Sequence, residues 1–435
     1  MDELENNTRL NIISIMSKHF NVVVIGAGTG GIMTAAQLKN KKKDLRIAII
    51  DPATEHYYQP AWTLVGAGTY NFKDTARPMS SVIPAGCEWI QDAVTNINAD
   101  ENSVETASGQ HVSYDFLVAA PGIQIDEDGI PGLKEGLDKG IVVSNYTDPE
   151  TVWEKVQAFK GGNAIFTQPT TPIKCGGAPQ KIMYLADDYW AKKGVKNDTK
   201  VVFATPGSVI FGVPEFAKTL DKVIYRKQIH FKPFYAIKKI DVERKEVYFG
   251  NAKPGENDCT IVEGEGLGER LEGNSAFVLP FDFLHLAPPQ SAPDFIKKSP
   301  LSNGTPGGWI DVNINTLQHT KYANVFALGD VAALPTAKTG AAIRKQAPVV
   351  VANLLSLMEK SALSTGKQYE GYSSCPLVTG YGKMVLAEFK YNNVRDSDPF
   401  LSKFVDTTQE NYSMWILKKY GLPYLYWNRM MKGKM

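Results

Sequence analysis

Cysteine is scarce in this 435-residue sequence, which contains only Cys87, Cys175, Cys259 and Cys375 and no CxxC pair. This scarcity argues against a zinc site and against a disulfide-dense secreted scaffold. Neither sign of charge is in excess, because the formal net charge is +1, so we expect no electrostatic attraction to nucleic acid. Any chemical role of cysteine is therefore expected to be that of reactive sulfur.

Long apolar runs are also missing, since none approaches the roughly 18 uninterrupted residues that predict a transmembrane helix. The N-terminal residues include Asp2, Glu3 and Glu5 against a single early Arg9, whereas transit peptides are basic and signal peptides carry an apolar core. We therefore expect synthesis in the cytosol. We also hypothesise that Met16 is the natural start, because the first predicted strand follows it almost at once.

A glycine-rich loop lies near the N-terminus, between the apolar run VVVI and a segment that predicts a helix. In such a strand-loop-helix unit, Gly26 permits the tight turn, Gly28 lets the backbone approach a pyrophosphate, and Gly31 lets the helix pack closely on the strand. Thr29 and Gly30 complete the loop. The free N–H groups of the helix N-terminus face the phosphates, so the pattern predicts a dinucleotide site.

The second predicted strand, RIAIID, ends at Asp51. This position is about 20 residues beyond the last glycine, where an acid binds the ribose hydroxyls and disfavours a 2′-phosphate. A later segment, YDFLVAAPG, includes Ala120 and Gly122. It resembles the strand and small-residue turn that flavin disulfide-reductase-like proteins place beside the nucleotide.

The segment NVFALGD, which ends at Asp330, distinguishes FAD from NAD. It resembles the late motif of the same flavoproteins, in which the aspartate binds the ribityl chain of FAD, a group that NAD does not have. The resemblance implies that Lys338, Thr339 and Gly340 lie at the flavin end, where a helix N-terminus stabilises negative charge on the reduced ring. We therefore predict FAD as the cofactor.

A second α/β unit is predicted at 131–300, where strand and helix patterns alternate again. The turn after its strand KVVFAT contains a proline and lacks the GxGxxG spacing, so a pyridine nucleotide would find no glycine cradle there. We infer that electrons enter from a donor other than NAD(P)H. The predicted fold is α/β with two Rossmann-like three-layer ββα domains. The FAD domain is discontinuous and comprises 17–130 and 301–365, the second domain comprises 131–300, and a C-terminal region comprises 366–435.

Cys175 follows a proline-rich loop and precedes a predicted helix whose first turn contains Pro179. The helix dipole, with Lys174 and Lys181 nearby in sequence, is expected to lower the pKa of Cys175 and favour the thiolate, the form that attacks disulfides. Cys375 lies far along the chain, and spacing alone does not pair it with Cys175. Taken by themselves, both are equally well explained as inert buried cysteines.

The segments around Cys175 and Cys375, together with EHYYQPAWTLVGAG, LHLAPPQSAPD and LPYLYWNRMM, resemble the sulfide:quinone oxidoreductase family over nearly the whole chain. The resemblance implies a redox-active Cys175–Cys375 disulfide or trisulfide next to the flavin, with hydrogen sulfide and a membrane quinone as substrates. Neither Cys87 nor Cys259 matches a catalytic position. The resemblance also implies further residues at the sulfur site and at the cofactor, namely Glu135, Lys181 and Lys418 for acid-base or charge balance, and Gln59 and Val94 for FAD.

The C-terminal segment contains no acidic residue after Glu410, and its basic residues alternate with aromatic ones. This composition is typical of the interface of an anionic bilayer, so we expect a peripheral protein of a bacterial cytoplasmic or mitochondrial inner membrane. The alternative is a helical segment packed on the core or in a dimer contact. The basic and aromatic residues are Lys418, Lys419, Arg429, Lys432 and Lys434, with Tyr412, Trp415, Tyr420, Tyr424, Tyr426 and Trp427.

Three other functions share parts of this pattern. A type II NADH:quinone dehydrogenase has the same flavin fold but oxidises NADH. The flavin subunit of a flavocytochrome sulfide dehydrogenase needs an export signal and a cytochrome partner, and a flavin-binding interaction protein needs no reactive cysteines. The sequence leaves open whether the quinone is ubiquinone or menaquinone, which small molecule accepts the sulfur, and whether the chain forms a homodimer.

Overall fold

The computed structural model describes residues 18–255, 261, 264–273 and 276–435. The proposed start at Met16 and the residue Cys259 lie outside these ranges. The α-helices are α1 Thr29–Lys41, α2 Trp62–Val65, α3 Met79–Val82, α4 Leu133–Asp138, α5 Pro149–Ala158, α6 Ala178–Lys192, α7 Pro214–Lys227, α8 Asp294–Lys297, α9 Gly340–Lys360, α10 Tyr412–Ile416 and α11 Leu422–Leu425.

The strands form two main sheets and several smaller ones. They are β1 Lys18–Ile25, β2 Ile47–Ile50, β3 Glu55–Tyr57, β4 Ala76–Pro78, β5 Cys87–Ile90, β6 Val94–Asn98, β7 Ser103–Thr106, β8 His111–Ala119, β9 Gln124–Ile125, β10 Val142–Val143, β11 Gly162–Thr167, β12 Thr199–Thr205, β13 His230–Pro233, β14 Tyr235–Asp241, β15 Glu246–Asn251, β16 Arg270–Glu272, β17 Ala276–Pro280, β18 Phe283–Leu286, β19 Gln290–Ser291, β20 Val325–Ala327, β21 Ser373–Gly380, β22 Lys383–Lys390 and β23 Val394–Arg395.

The first main sheet has the order β5-β2-β1-β8-β7-β6, and β20 pairs with β8. Its centre is parallel, because β1 pairs in parallel with β2 and β8, and β20 does so with β8. The run from Val22 to Ile25 is buried, as expected for a parallel strand that is covered on both faces. Because β20 comes from late in the chain, this sheet joins the predicted glycine loop to the segment that ends at Asp330.

The second main sheet is parallel, in the order β10-β18-β11-β12-β13. An antiparallel sheet, β14-β15-β17-β16, accompanies it. Helix α6 runs from β11 towards β12 and buries Ile182, Met183 and Trp190 in a core that it shares with β21 and β22. The molecule therefore has the mixed α/β fold with two Rossmann-like sheets that the sequence predicts, while the domain boundaries stay a prediction.

The C-terminal region begins with the antiparallel strands β21, β22 and β23. A continuous helical segment follows, in which α10 and α11 alternate with π-helical turns at Leu417–Gly421 and Tyr426–Met430. Within the described ranges, no helix combines the length and the apolar character that crossing a bilayer requires.

Candidate active site

The glycine loop between β1 and α1 has the geometry of a dinucleotide cradle. Gly26 adopts a left-handed backbone, with φ of +94°, which a side chain would disfavour. A Cβ at Gly31 would collide with the Gly26 carbonyl oxygen, whereas a Cβ at Gly28 would meet nothing within 4 Å. Gly26 and Gly31 thus serve the turn and the packing, and the open space at Gly28 fits a pyrophosphate that approaches the backbone at the start of α1.

Asp51 and Ala120 lie on either side of this loop. One carboxylate oxygen of Asp51 accepts a hydrogen bond of 2.6 Å from the Ala27 N–H, and the other accepts one of 2.8 Å from Ala53. The Ala120 N–H donates to the Ile25 carbonyl at 2.8 Å. Gly122 has a φ of +77° and open space where a side chain would be. These residues surround one cleft at the carboxyl ends of β1 and β8, which is the edge where ligands bind in such sheets.

Two further predicted cofactor residues differ in exposure. Gln59 is exposed in a single 3₁₀ turn, Gln59–Ala61. Val94 opens β6, and its side chain, with 7% exposure, packs in the core with Ile97. The Val94 side chain is therefore part of the core of the first sheet.

The turn that contains Asp330 forms the opposite end of the cleft. Gly329 there has a φ of +77° and donates its N–H to the side-chain oxygen of Gln346 at 2.8 Å. Burial raises the pKa of Asp330. Lys338 Nζ donates to the Asp330 carbonyl oxygen at 2.5 Å, and burial lowers the pKa of this lysine to about 8. The backbone of the Asp330 turn is thus held by the side chain of Gln346 in α9 and by the side chain of Lys338 just before α9.

Helix α9 begins beside this turn. Thr339 is its N-cap, because the Thr339 hydroxyl accepts a hydrogen bond of 3.2 Å from the Ala342 N–H. Gly340 is the first helical residue, and a Cβ there would lie 4.0 Å from Pro60. Lys338, Thr339 and Gly340 therefore lie at one helix N-terminus, where Lys338 and Thr339 line a cavity together with Gly329.

The two predicted sulfur residues meet although they are 200 positions apart, with 3.9 Å between their Sγ atoms. Cys175 lies just before α6, which begins at Ala178 after the N-cap Gly177, as the sequence predicts. Cys375 lies within β21 and is buried. A Cβ added at Gly177 would approach Cys375 Sγ to 2.5 Å, so glycine at this position creates the space for the second sulfur.

The sulfur pair is attached to the N-terminus of α9. The Cys175 N–H donates to the Lys338 carbonyl oxygen at 2.7 Å. On the other side, the hydroxyls of Thr339 and Ser373 are 2.8 Å apart, and Ser373 is two residues before Cys375 in β21. Cys175 has a left-handed φ of +53°, a strained conformation for a non-glycine residue. These contacts bring both sulfurs to the predicted flavin end of the cleft.

The two thiols differ in acidity. A hydrogen bond from Cys375 lowers the pKa of Cys175 well below its usual value, and Lys181 lowers it further, against the opposing effect of burial. The same hydrogen bond and burial raise the pKa of Cys375. Lys181 Nζ is 2.9 Å from Cys175 Sγ. Cys175 is therefore the thiolate of the pair.

Two buried lysines flank the sulfurs. Burial alone would lower the pKa of Lys181, but Cys175 and Cys375 outweigh it, so that the pKa of Lys181 is raised. Lys418 comes from the C-terminal segment and donates to the Pro60 carbonyl oxygen at 3.0 Å. Burial and the neighbouring Lys181 lower the pKa of Lys418 to about 7. Lys181 thus stays charged at neutral pH, whereas Lys418 gains or loses its charge near pH 7.

Two expectations about charged neighbours need correction. Glu135 on α4 is half-exposed and forms an ion pair of 2.5 Å with Lys139 one turn later, so its carboxylate faces solvent and is not brought to the sulfurs. Lys174 is adjacent to Cys175 in sequence, but its ammonium lies over the Trp62 ring at 5.9 Å. It does not contact the thiolate, because the left-handed backbone of Cys175 begins a turn that directs the two side chains apart.

The structure also adds residues that the sequence reading missed. The Tyr146 hydroxyl donates to the Cys175 carbonyl oxygen at 3.1 Å and so holds the strained loop. No local pattern pointed to Tyr146, which follows β10. The pair of glycines after Cys175 is visible in the sequence. That Gly177 leaves room for Cys375 is apparent only from the folded structure.

The C-terminal segment has two different faces. Met414, Trp415 and Met430 are buried in the core. The opposite face exposes apolar and aromatic side chains at every fourth position, a spacing that places them on one side of a helix. These residues are Tyr412, Ile416, Tyr420 and Tyr424, and we call them the outer face. Among the aromatic residues of this segment, Trp415 and Tyr426 are buried, so the segment also packs on the core, as the alternative expectation had it.

Comparison with known proteins agrees with this site. The family model for pyridine nucleotide-disulphide oxidoreductases matches residues 20–157. The mitochondrial sulfide:quinone oxidoreductase of Mus musculus is 40% identical over 418 residues, which cover 95% of this chain and 87% of that protein. The crystal structure of the sulfide:quinone oxidoreductase from Aquifex aeolicus has a TM-score of 0.73 at 21% identity, covering 94% of this chain and 91% of that one.

The glycine cradle, the Asp330 turn and the adjacent cysteines define a flavin-dependent enzyme of the disulfide oxidoreductase class. Within that class, the chain belongs to the sulfide:quinone oxidoreductase family. A type II NADH:quinone oxidoreductase of Staphylococcus aureus matches only 118 residues at 33% identity, which is 26% of this chain. That match is confined to a part of the chain, so the similarity favours the sulfide family.

Proposed function

We propose that this protein oxidises hydrogen sulfide through Cys175 and Cys375, with FAD as cofactor, and passes the two electrons to a membrane quinone. The observation that carries the proposal is the 3.9 Å approach of the two Sγ atoms. It occurs at the turn that leads into α9, where the cleft for the dinucleotide ends. The names of the related proteins support the same pair of substrates.

The residues of the cleft fit FAD. The open space at Gly28 accommodates a pyrophosphate, Asp51 is positioned for ribose hydroxyls, and Asp330 is positioned for the ribityl chain. FAD bound in this cleft would supply a two-electron carrier between the cysteine pair and quinone. The α9 N-terminus at Thr339 directs its positive end towards the place where negative charge develops.

The sulfur step follows from the acidity of the pair. In the oxidised protein, Cys175 and Cys375 are bridged directly or through one further sulfur. Sulfide attacks the bridge at Cys375, a new S–S bond forms there, and the bond to Cys175 breaks so that Cys175 leaves as a thiolate. Because the pKa of Cys175 is low, it is the better leaving group. With a direct bridge, Cys375 then carries a persulfide.

The cycle closes when the added sulfur leaves Cys375. A small nucleophile such as sulfide, sulfite or glutathione takes it, and Cys375 is freed as a thiolate. The bridge forms again when Cys175 and Cys375 together give up two electrons, for which an FAD held beside the α9 N-terminus would be the acceptor. Lys181 stabilises the Cys175 thiolate at 2.9 Å, and Lys418, with a pKa of about 7, accepts a proton when it is neutral.

Quinone is insoluble in water, so it must reach the cleft from a lipid phase. The outer face, Tyr412, Ile416, Tyr420 and Tyr424, belongs to the same segment whose buried Lys418 lies at the sulfurs. We propose that this face rests on the membrane surface and that quinone enters beside it. Exposed aromatic side chains next to lysines are the composition that such a surface uses.

The function is tested by serine variants in a quinone-absorbance assay with sulfide. Cys175→Ser and Cys375→Ser are each expected to lower the sulfide-dependent rate by at least about 10³-fold, because the reaction loses its nucleophile or leaving group. Cys87→Ser is the control, since Cys87 opens β5 in the first sheet and burial raises the pKa of its thiol to about 11. Wild-type rates in both active-site variants would refute the mechanism.

A further inference from the structure

The C-terminal segment reaches the dinucleotide cradle through Tyr426. The Tyr426 hydroxyl oxygen is 2.8 Å from the Thr29 hydroxyl and 2.6 Å from His56 Nε2. His56 Nδ1 is 2.9 Å from the Ala27 carbonyl oxygen. Ala27 and Thr29 are both part of the glycine loop, and Tyr426 is only 3% exposed. A residue close to the end of the chain thus contacts the loop that follows β1.

The direction of each hydrogen bond follows from the chemistry of the groups. A carbonyl oxygen only accepts, so His56 Nδ1 must donate to Ala27. Burial lowers the pKa of His56 and keeps the ring neutral, against the weaker opposing effects of Ala27 and Asp51, so Nε2 has a lone pair and accepts from the Tyr426 hydroxyl. The Tyr426 oxygen then accepts from the Thr29 hydroxyl. The chain of donors therefore starts at Thr29 and returns to Ala27, two residues earlier in the loop.

Aromatic packing holds this chain of hydrogen bonds in place. The Tyr58 ring lies 4.7 Å from Tyr426, and Trp427 lies edge-on to His56 at 5.7 Å. The Arg77 guanidinium covers Trp427 at 4.9 Å. The ring of Tyr426 is therefore fixed independently of its hydroxyl, which allows the hydroxyl to be removed without emptying the site.

The last residues of the chain continue the contact along α1. Gln37 Nε2 donates to the Met435 carbonyl oxygen at 2.5 Å, and Asn40 Nδ2 donates to the Lys432 carbonyl oxygen at 2.9 Å. Both donors lie in α1, the helix whose N-terminus faces the phosphates. The segment after Tyr426 thus lies against the C-terminal half of α1, while Tyr426 itself contacts Thr29 at the helix start.

We propose that Tyr426 is a cofactor-retaining residue, through which the C-terminal segment holds the dinucleotide loop closed. The inference rests on the proposed function only in that the loop binds FAD. Thr29 is the first residue of α1, and Ala27 precedes the open position at Gly28. The hydrogen bonds of Tyr426 and His56 link these two residues and so oppose any change in the loop conformation that receives the pyrophosphate.

The test measures the release of FAD from purified holoprotein by the rise in free-flavin fluorescence after dilution. Tyr426→Phe is expected to release FAD about 5- to 30-fold faster, the range that the loss of one or two buried hydrogen bonds produces. The matched control is Tyr424→Phe, two residues earlier, where the ring is 64% exposed and points away from the core. Release at the wild-type rate from Tyr426→Phe would overturn the proposal.

A second measurement separates cofactor retention from a general effect on folding. Thermal unfolding is expected to show a larger loss of stability for Tyr426→Phe in the holoprotein than in the apoprotein, because the buried hydrogen bonds are lost in both forms but cofactor binding is weakened only in the first. An equal loss of thermal stability in the apo and holo forms would overturn the proposal.

A double variant gives a further test. Thr29→Val combined with Tyr426→Phe should release FAD no faster than the more affected single variant, because both substitutions interrupt the same chain of hydrogen bonds. Wild-type protein that contains no FAD would instead refute the proposed cofactor.

Discussion

At the scale of single residues, the chemistry depends on a small amount of space beside Cys375. The space exists because residue 177 is glycine, since a Cβ there would lie 2.5 Å from Cys375 Sγ and 2.6 Å from a methyl carbon of Leu377. Both atoms belong to β21, which packs on α6 and does not move freely. A single methyl group at this position therefore acts directly on the distance between the two sulfurs.

Gly177→Ala is accordingly expected to lower sulfide-dependent quinone reduction by at least about tenfold, because displacing a reacting group by about 1 Å costs as much or more. The bound flavin spectrum should remain, since Gly177 does not line the glycine cradle. Gly176→Ala is the control, because a Cβ at that neighbouring position meets nothing within 4 Å. Equal loss in both variants would show that the Cys375 contact is not the cause.

Lys418 predicts a dependence on pH. Its pKa of about 7 is lowered by burial and by Lys181, so the side chain is neutral and able to accept a proton above pH 7 and is charged below it. The rate should fall as the pH drops through this value, and Lys418→Met should lower the rate above pH 7 by roughly 10²-fold or more. Measuring rates across pH in wild type and variant gives the comparison.

Sulfide itself changes protonation in the same pH range, so the informative quantity is the ratio of wild-type to Lys418→Met rates at each pH. This ratio should be large above pH 7 and shrink below it. Lys419→Met, one residue later on the same turn, should keep the wild-type profile. A ratio that does not vary with pH would mean that Lys418 has only a structural role.

At the scale of elements, a buried ion cluster joins the helix after Cys175 to the hairpin that carries Cys375. Lys227 at the end of α7 donates to Asp187 at 3.0 Å and also to Asp188, both in α6. The second carboxylate oxygen of Asp188 accepts from the Tyr381 N–H at 2.9 Å, in the turn between β21 and β22. The cluster therefore fixes the relative position of the two elements that supply the sulfurs.

Lys227→Met should destabilise the protein by about 1–3 kcal/mol, because Asp188 loses its cation and Asp187 keeps only Lys196 at 2.5 Å. Urea unfolding of the two proteins measures this difference. Lys222→Met changes an exposed lysine of the same helix and should stay within about 0.5 kcal/mol of wild type. A Lys227→Met protein as stable as the control would show that the carboxylates find other partners.

The outer face of the C-terminal segment has its own prediction. Replacing Tyr412, Ile416, Tyr420 and Tyr424 together by serine should abolish flotation with anionic vesicles, because the apolar contact with lipid is lost. The fold should persist, since all four side chains point away from the core. Tyr225→Ser is the control, as Tyr225 is 87% exposed on α7. Unchanged flotation of the fourfold variant would exclude this face as the membrane contact.

At the scale of the whole molecule, the two main sheets differ in the loops that follow their parallel strands. The connection after β12 leads to α7 through residues 206–213, where Pro206 stands in place of a glycine cradle. We therefore expect stopped-flow mixing with sulfide to bleach the flavin absorbance within the time of a turnover, while NADH leaves it unchanged. Bleaching by NADH at a comparable rate would support a type II dehydrogenase instead.

Much of this fold was predictable from local patterns. One supersecondary unit is encoded locally, by the β-branched run before Gly26, the glycine spacing and the helical segment after it. Each of these signals depends only on residues that are close together in the sequence. The same holds for the role of Gly28 and for the helix start after Cys175. The roles of Asp330, Thr339 and the cysteine pair came from resemblance to a known family rather than from periodicity.

The sequence by itself determined the local units of this protein, which are the glycine loop, the Asp330 turn and a thiolate-favouring position at the start of α6. Only the tertiary structure decided which distant side chains meet. It brought Cys375 and Lys418 to Cys175, turned Glu135 to solvent, and buried Tyr426 against Thr29. The physical reason is that hydrogen bonding and periodicity act between near neighbours, whereas contacts across hundreds of residues are set by the packing of whole elements.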